Sequence, residues 1–501
     1  MAEKKTSTRK ACTQKKTNKV TPIVSVVPKK RILFVGSEAA PFIATGGLAD
    51  VMGSLPKALA ESEENEVSVI LPLYSKISNE YRKNFRFIGS FEVPLSWRRQ
   101  YCGVFYYLAH NIHYYFIDNE YYFKRDGNIY GCYDDGERFA FFSKAILETI
   151  GHFMLWPDVL HCNDWQTAAA VIYLKTIYHQ YERYNQIKTV FTIHNIEYQG
   201  KYGLDCMDDL FGFPSWSKDL VEFDDCINLM KGAIELSDVV NTVSPTYARE
   251  IKDSYFAHGL EGIIKRNEGK LLGILNGIDY DYYNPATDRY LFANYSVNDL
   301  GGKTVCKQEL QKMLNLPVKD VPIIAIISRL VSHKGFDLVK AVIENVLNQD
   351  VQVVILGTGD HYYEGYFSQL ANQYRGKCVT IIEFNQDLSR KIYAGADLFL
   401  MPSKMEPCGL SQMIASRYGT VAIVRGTGGL NDSIQPLYED SGNGFSFRDY
   451  NAHDMLYVIN QAIRMYYDKE AFARLQYRAM TTDFSWTQRA REYDEVYQKL
   501  I

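Results

Sequence analysis

Residues 31–74, RILFVGSEAAPFIATGGLADVMGSLPKALAESEENEVSVILPLY, set the reading of the whole chain. RILFVGSEA is a short apolar strand that closes on small residues. The loop PFIATGGLAD follows, then VMGSLPKALAE with a helical pattern, then a second strand, EVSVILPLY. Strand, glycine-rich turn, helix and strand form the opening step of a doubly wound parallel sheet.

The same alternation continues outward. DVLHCNDW (158–165), KTVFTIHN (188–195) and VVNTVSP (239–245) are β-rich runs that each end on polar residues, with helical stretches such as TAAAVIYLKTIYHQY between them. A second α/β unit opens at VPIIAIISRL (321–330). It continues through the helix HKGFDLVKAVIENVL, the strand VQVVILGTGD, CVTIIEF, the helix SRKIYAGA, DLFLMPS and TVAIVRG. These patterns predict two parallel-sheet domains, over 31–290 and 320–480, joined by a linker around 285–320. The amphipathic run FSWTQRAREYDEVYQKLI, with no strand after it, makes 481–501 a closing helix. A chain of 501 residues also exceeds what one core of roughly 100–200 residues accommodates.

Composition excludes several function classes. A formal net charge of −4 gives the body no global attraction to nucleic acid or anionic lipid. No apolar run approaches the roughly 20 residues of a membrane span. A soluble chain with neither nucleic-acid nor membrane partners is expected, and no oligomeric state is assigned. The nine cysteines are scattered singly without a CxxC pair, which favours neither a zinc cage nor a disulfide framework and fits a reducing cytosol. Residues 1–30 are lysine-rich with Glu3 as the only acid, and they lack the roughly 7–15-residue apolar core of a secretory signal. They read as a disordered basic tail on a cytoplasmic protein, with a plastid transit segment as the alternative. At 14% aromatic residues the chain has many rings suited to sugar faces, although core packing accounts for most of them.

In open parallel sheets ligands bind beyond the carboxyl ends of strands, and the chemically informative residues fall there in both halves. Gly46 and Gly47 precede a helix start and allow close backbone approach to a phosphate or sugar oxygen, while Asp50 accepts from hydroxyls or simply sits in the first turn. GxGxxG is absent, so this is not the dinucleotide fingerprint. Asp164 and Trp165 pair a carboxylate with an aromatic face; helix capping by Asp164 is the structural alternative. His194 and Asn195 directly follow an apolar strand. Arg329 and Lys334 flank a strand-to-helix turn and suit a leaving diphosphate, or are surface charge. Glu406 stands between the strand DLFLMPS and a helix, pointing into the cleft, and Gly428 and Gly429 in RGTGGLND again bring backbone close at a helix start. A carboxylate near a sugar, facing donors near a diphosphate, is what glycosyl transfer needs.

These segments, with TVSPTYAREI (242–251), HNIEYQG (194–200), LNGID (275–279) and EPCGL (406–410), resemble the bacterial and plastid-type glycogen/starch synthases from about Arg31 to Ile501. That family has the retaining GT-B fold, two Rossmann-like parallel-sheet domains facing across a cleft, and the resemblance implies transfer of glucose from ADP-glucose or UDP-glucose to an α-1,4-glucan. It implies that Glu406, His194, Asp164, Arg329 and Lys334 are the catalytic set. Gly46, Gly47, Asp50, Asn195, Asn276, Phe384, Cys408, Gly409, Leu410, Thr427, Gly428 and Gly429 would bind the donor, with Phe384 stacking on the base. No cofactor and no metal are implied, and the closing helix would return to the first domain. Ala44 stands where well-known members carry a lysine against the donor phosphates, which leaves the nucleotide preference open. A GT-B transferase with another acceptor, or a non-catalytic glucan-binding paralogue, are the alternatives.

Overall fold

The computed structural model describes residues 1, 3, 29–438 and 441–501, so the tail expected over 1–30 lies almost wholly outside the described residues. The first strand, Lys30–Val35, is central in a nine-stranded sheet. On one side it pairs in parallel with Val159–Asn163, followed by Lys188–Ile193, Val239–Thr242 and Leu271–Gly273. On the other it pairs with Asn65–Pro72 and then Ile112–Asp118. Two antiparallel strands, Arg98–Ala109 and Arg86–Leu95, complete that edge. This edge hairpin is a departure from the all-parallel expectation. Its strands are only partly buried and leave Arg86, Glu92 and Arg99 exposed, charges that suit an open sheet edge.

The second sheet is parallel throughout, in the order Cys378–Ile381, Gln352–Leu356, Ile323–Ile327, Leu398–Met401, Val421–Arg425 and Phe445–Phe447. Its strands are apolar on both faces, and the period of two is visible in the packing. Ile323 and Ala325 join the core shared with the first domain, whereas Ile324 and Ile326 face the helices Phe336–Leu347 and Ala452–Tyr467.

The stretch expected to be a linker is not one throughout. Helix Gly301–Met313 lies within it and packs on helix Gln386–Gly395. Lys303 is buried and satisfied, donating to Ala394 O, Tyr418 O and Thr420 Oγ1 at 2.9–3.0 Å. Lys307 pairs with Asp397 at 2.8 Å. Polar residues spaced along an amphipathic helix hid this docking, because each finds its partner only in another segment.

Helix Trp486–Leu500 packs on helix Gly47–Leu59 and on the first sheet. Tyr497 OH bonds His161 Nδ1 at 2.7 Å, Asn241 donates to Tyr493 OH at 2.8 Å, and Lys30 pairs with Asp494 at 2.6 Å. Among the described residues no helix is long and apolar enough to cross a membrane.

Candidate active site

Both sheets reverse their winding beside their first strand, and loops leaving the carboxyl ends of the neighbouring strands converge there. In the first domain Asp164 ends strand Val159–Asn163 with φ of +58° and occupies the N-cap position of helix Trp165–Thr176 without capping it. Its Oδ1 accepts instead from His194 N at 2.8 Å. The capping alternative therefore falls, and the carboxylate ties two strand-end loops together. Burial drives the Asp164 carboxyl up to about 7.

His194 Nε2 is 2.9 Å from Asn163 Oδ1, whose amide nitrogen donates to Val35 O. That network places the proton on Nε2 and leaves Nδ1 as an acceptor. Burial lowers His194 to about 3, so the ring is neutral at working pH. Trp165 does not present an open face: its ring packs edge-on against Phe139 at 5.3 Å and lies over Gly200.

The glycine loop is held from below by Glu38, a residue the sequence reading passed over. Glu38 Oε2 accepts from Thr45 N at 2.6 Å and Thr45 Oγ1 at 2.8 Å. Asp50 is raised to about 6 by burial and then by the Glu38 charge. Gly46 and Gly47 are exposed, and a Cβ at either would meet no protein atom within 4 Å. No contact in the fold demands glycine there, and the room they leave is open.

In the second domain Lys334 Nζ pairs with Glu406 Oε2 at 2.6 Å, and Ser403 Oγ donates to the same oxygen at 2.9 Å. Arg329 is exposed and makes no side-chain hydrogen bond to a described residue. His333 is lowered first by burial and then by the charges of Lys334 and Arg329, which marks a positive corner. The N–H groups of Cys408, Gly409 and Leu410 make no hydrogen bond to described residues, and Asn276, packed beside the buried Cys408 thiol, has a buried Oδ1 without a partner. Asn195 uses its Oδ1 on Glu197 N, and Phe384 is 85% exposed on its loop.

Gly428 and Gly429 are glycine for a reason other than free amides. Gly428 N donates to both oxygens of Glu250 at 3.1 Å, and Gly429 N to Glu406 O and Pro407 O. A Cβ on Gly428 would stand 1.9 Å from Glu406 O, and one on Gly429 2.2 Å from Cys408 O. Buried Thr427 donates to Glu250 as well, at 2.8 Å. Glu250 comes from the first domain, where Thr246 also binds Asp432 through N and Oγ1 at 2.7 and 2.6 Å. Glu250 and Arg425, which donates to Lys404 O at 2.6 Å beneath the Glu406 loop, were missed although both lie in or beside quoted motifs. A depression of about 360 Å³ around Arg31, Trp156 and Lys188 lies at the opposite end of the first sheet and includes none of these groups.

Residues 31–266 match the family described as starch synthase catalytic domain, and residues 307–479 match glycosyl transferases group 1. The glycogen synthase of Clostridium novyi is 49% identical over 94% of this chain and 99% of its own length, and that of Geobacillus stearothermophilus is 47% identical over 94% and 98%. The chain belongs to the glycogen/starch synthase family. It is a GT-B glucosyltransferase that uses a nucleotide-sugar donor and a glucan acceptor. The catalytic domain of starch synthase IV from Arabidopsis thaliana, a structure bound to ADP and acarbose, superposes with a TM-score of 0.87 at 33% identity over 95% of this chain and 99% of that one. The sucrose-phosphate synthase of Thermosynechococcus elongatus, 14% identical with a TM-score of 0.58 over 94% and 99%, shares the fold.

Proposed function

We propose that this glycogen/starch synthase transfers glucose from ADP-glucose to the non-reducing end of an α-1,4-glucan with retention of the α configuration. The observation that carries this reading is the meeting of cations, a carboxylate and unpaired amides at the strand ends, with Lys334 bonded to Glu406. Cations Arg329 and Lys334 gather where a diphosphate would depart, while Glu406, neutral His194 and the Cys408–Leu410 amides remain for a sugar. As the glycosidic bond to phosphate breaks, Lys334 and Arg329 stabilise the growing negative charge and no resident metal or cofactor is invoked. Glu406 keeps Oε1 for a sugar hydroxyl while Oε2 is held by Lys334 and Ser403. His194 Nδ1 accepts from another hydroxyl, and Asn276 Oδ1 gains the donor it lacks. The acceptor hydroxyl attacks from the leaving-group side, since no protein nucleophile is needed for retention on that path.

ADP over UDP is supported by the Arabidopsis structure, whose bound nucleotide is ADP. The free cysteines suit the cytoplasm, where we place the activity. Nucleotide release and glucose incorporation into glycogen, measured separately with ADP-glucose and UDP-glucose, test the reading. Elongation with ADP-glucose preferred is expected; folded protein that turns over neither donor, or that elongates no glucan, overturns it.

A further inference from the structure

The amino end of the first sheet, opposite Asp164 and His194, carries charge that the transfer reaction leaves unused. Arg31, Asp158 and Lys188 stand at or just before the starts of three neighbouring strands, Lys30–Val35, Val159–Asn163 and Lys188–Ile193. Backbone hydrogen bonds lace them together: Asp158 N donates to Arg31 O at 2.8 Å, and Lys188 N to Asp158 O at 3.0 Å. With Trp156 and Arg183 they line the depression of about 360 Å³ at this end.

The charges of that lining do not balance. Asp158 is already engaged, since its Oδ1 accepts from Arg31 Nη2 at 2.9 Å and its Oδ2 from Arg31 N at 2.8 Å. Arg183 and Lys188 have neither an ion pair nor a side-chain hydrogen bond among the described residues, so two cations of the lining stay uncompensated.

Trp156 adds a donor. It is held at φ of +38°, a conformation that a bulky residue rarely adopts, two residues after Met154 at +54°. Its ring packs edge-on to Tyr184 at 5.2 Å and has the Arg183 guanidinium 5.1 Å from its centroid. The indole Nε1 is buried and has no hydrogen-bond partner among the described residues, a rare condition for a buried donor. The acceptor that this N–H lacks and the countercharge that Arg183 and Lys188 lack are both what an oxyanion carries. A second depression of about 300 Å³ continues past Arg31 and Pro157 to Ser68, Tyr115 and Glu66. There hydroxyls and a carboxylate replace the free cations, which repels an anionic head and accepts a hydroxylated body.

We propose that the amino end of the first sheet binds a small phosphate monoester, with its phosphate at Arg183 and Lys188 and its hydroxylated body toward Ser68 and Glu66. Two cations and an N–H donor match the charge and the three acceptor oxygens of a phosphate group. Each depression is at the lower end of the roughly 300–1,000 Å³ usual for small-molecule sites, so a metabolite of a few carbons fits better than a polymer or a protein segment. The site is distinct from the diphosphate corner at Arg329 and Lys334, which follows the strand Ile323–Ile327 of the second domain.

The test is isothermal titration of the full chain with ribose 5-phosphate, ribose and inorganic phosphate, with ADP present in excess so that the diphosphate corner is filled. Ribose 5-phosphate should bind one site at least about tenfold more tightly than either partial ligand. Arg183→Gln with Lys188→Gln should weaken it about 10–100-fold while the affinity for ADP stays unchanged, and Trp156→Phe, which keeps a ring and removes the N–H, should weaken it less. Equal binding by the wild type and the Arg183→Gln, Lys188→Gln variant would overturn the site. Ribose 5-phosphate binding no tighter than inorganic phosphate would overturn the assignment to an ester. The variant separates the two sites even if ADP is not bound, so failure of the transferase reading is distinguishable.

Discussion

Lys334 Nζ lies 2.6 Å from Glu406 Oε2, so the residue read as the diphosphate's cation and the residue read as the sugar's carboxylate are bonded to each other. The pair is mostly shielded from water, with side-chain exposures of 16% and 8%. Each partner thus positions the other, and the ammonium keeps two further donors for a ligand. Lys334→Ala should lower kcat about 10²–10³-fold by removing stabilisation of the leaving group and loosening Glu406. Glu406→Ala should lower it at least as far with the fold intact by circular dichroism. Because the two act as a unit, the double variant should lose much less than the product of the single losses. Strictly multiplicative losses would show that the residues work separately.

Asp164 should leave a signature in stability against pH. Its folded-state value of about 7 exceeds the ordinary aspartate value of about 3.9. Between those pH values the folded protein holds a proton that the unfolded chain has released, so on this group's account stability falls as pH rises from about 4 to about 7. Asp164→Asn keeps an acceptor for His194 N and removes the titration. Its melting temperature should therefore gain on the wild type by about 2–4 °C or more across that range and stay level above it. A difference independent of pH would mean that the carboxylate is solvated.

The two glycine pairs should respond in opposite ways. Gly47→Ala meets no protein atom, and alanine favours a helix, so folding should be unharmed while KM for the donor rises about tenfold if a ligand fills that room. Gly428→Ala drives a Cβ onto Glu406 O at a φ of +45°, so expression and thermal stability should both suffer. Equal melting temperatures for the two variants would contradict the packing reason given for Gly428.

Glu250 reaches across from the first domain to Thr427 and Gly428. Glu250→Ala strands a buried hydroxyl and a buried amide, at a cost of about 1–3 kcal/mol. Calorimetry should show the second domain melting earlier, and donor affinity should change because the domains are less firmly latched. A melting profile identical to the wild type would make the contact incidental.

Ala44 is exposed beside the glycine loop. Ala44→Lys adds a cation there, and isothermal titration should show ADP binding tightened about tenfold if Arg329 and Lys334 leave phosphate charge uncompensated. No gain would mean that the corner is already sufficiently positive.

Much of this protein was legible in order along the chain. Apolar runs of four to six residues ending in small or polar ones are what strands buried on both faces must look like, so the parallel sheets and their carboxyl-end loops followed from local pattern. Asp164, His194, Lys334 and Glu406 could be singled out because a position in a loop after a strand is itself a local property. Pairing was not. That Lys334 meets Glu406, that Asp164 binds a neighbouring loop instead of capping its helix, and that Glu250 takes the Gly428 amide each depend on segments between 30 and 178 residues apart. The helix Gly301–Met313 and the edge hairpin were hidden for the same reason, since their half-polar faces acquire meaning only against a partner surface. Sequence by itself determined which groups stand at the ends of strands, because hydrophobic period and turn chemistry act over a few residues. Only the tertiary structure decided which of those groups share a proton, a charge or a hydrogen bond, because such energies depend on distances that chain order does not set.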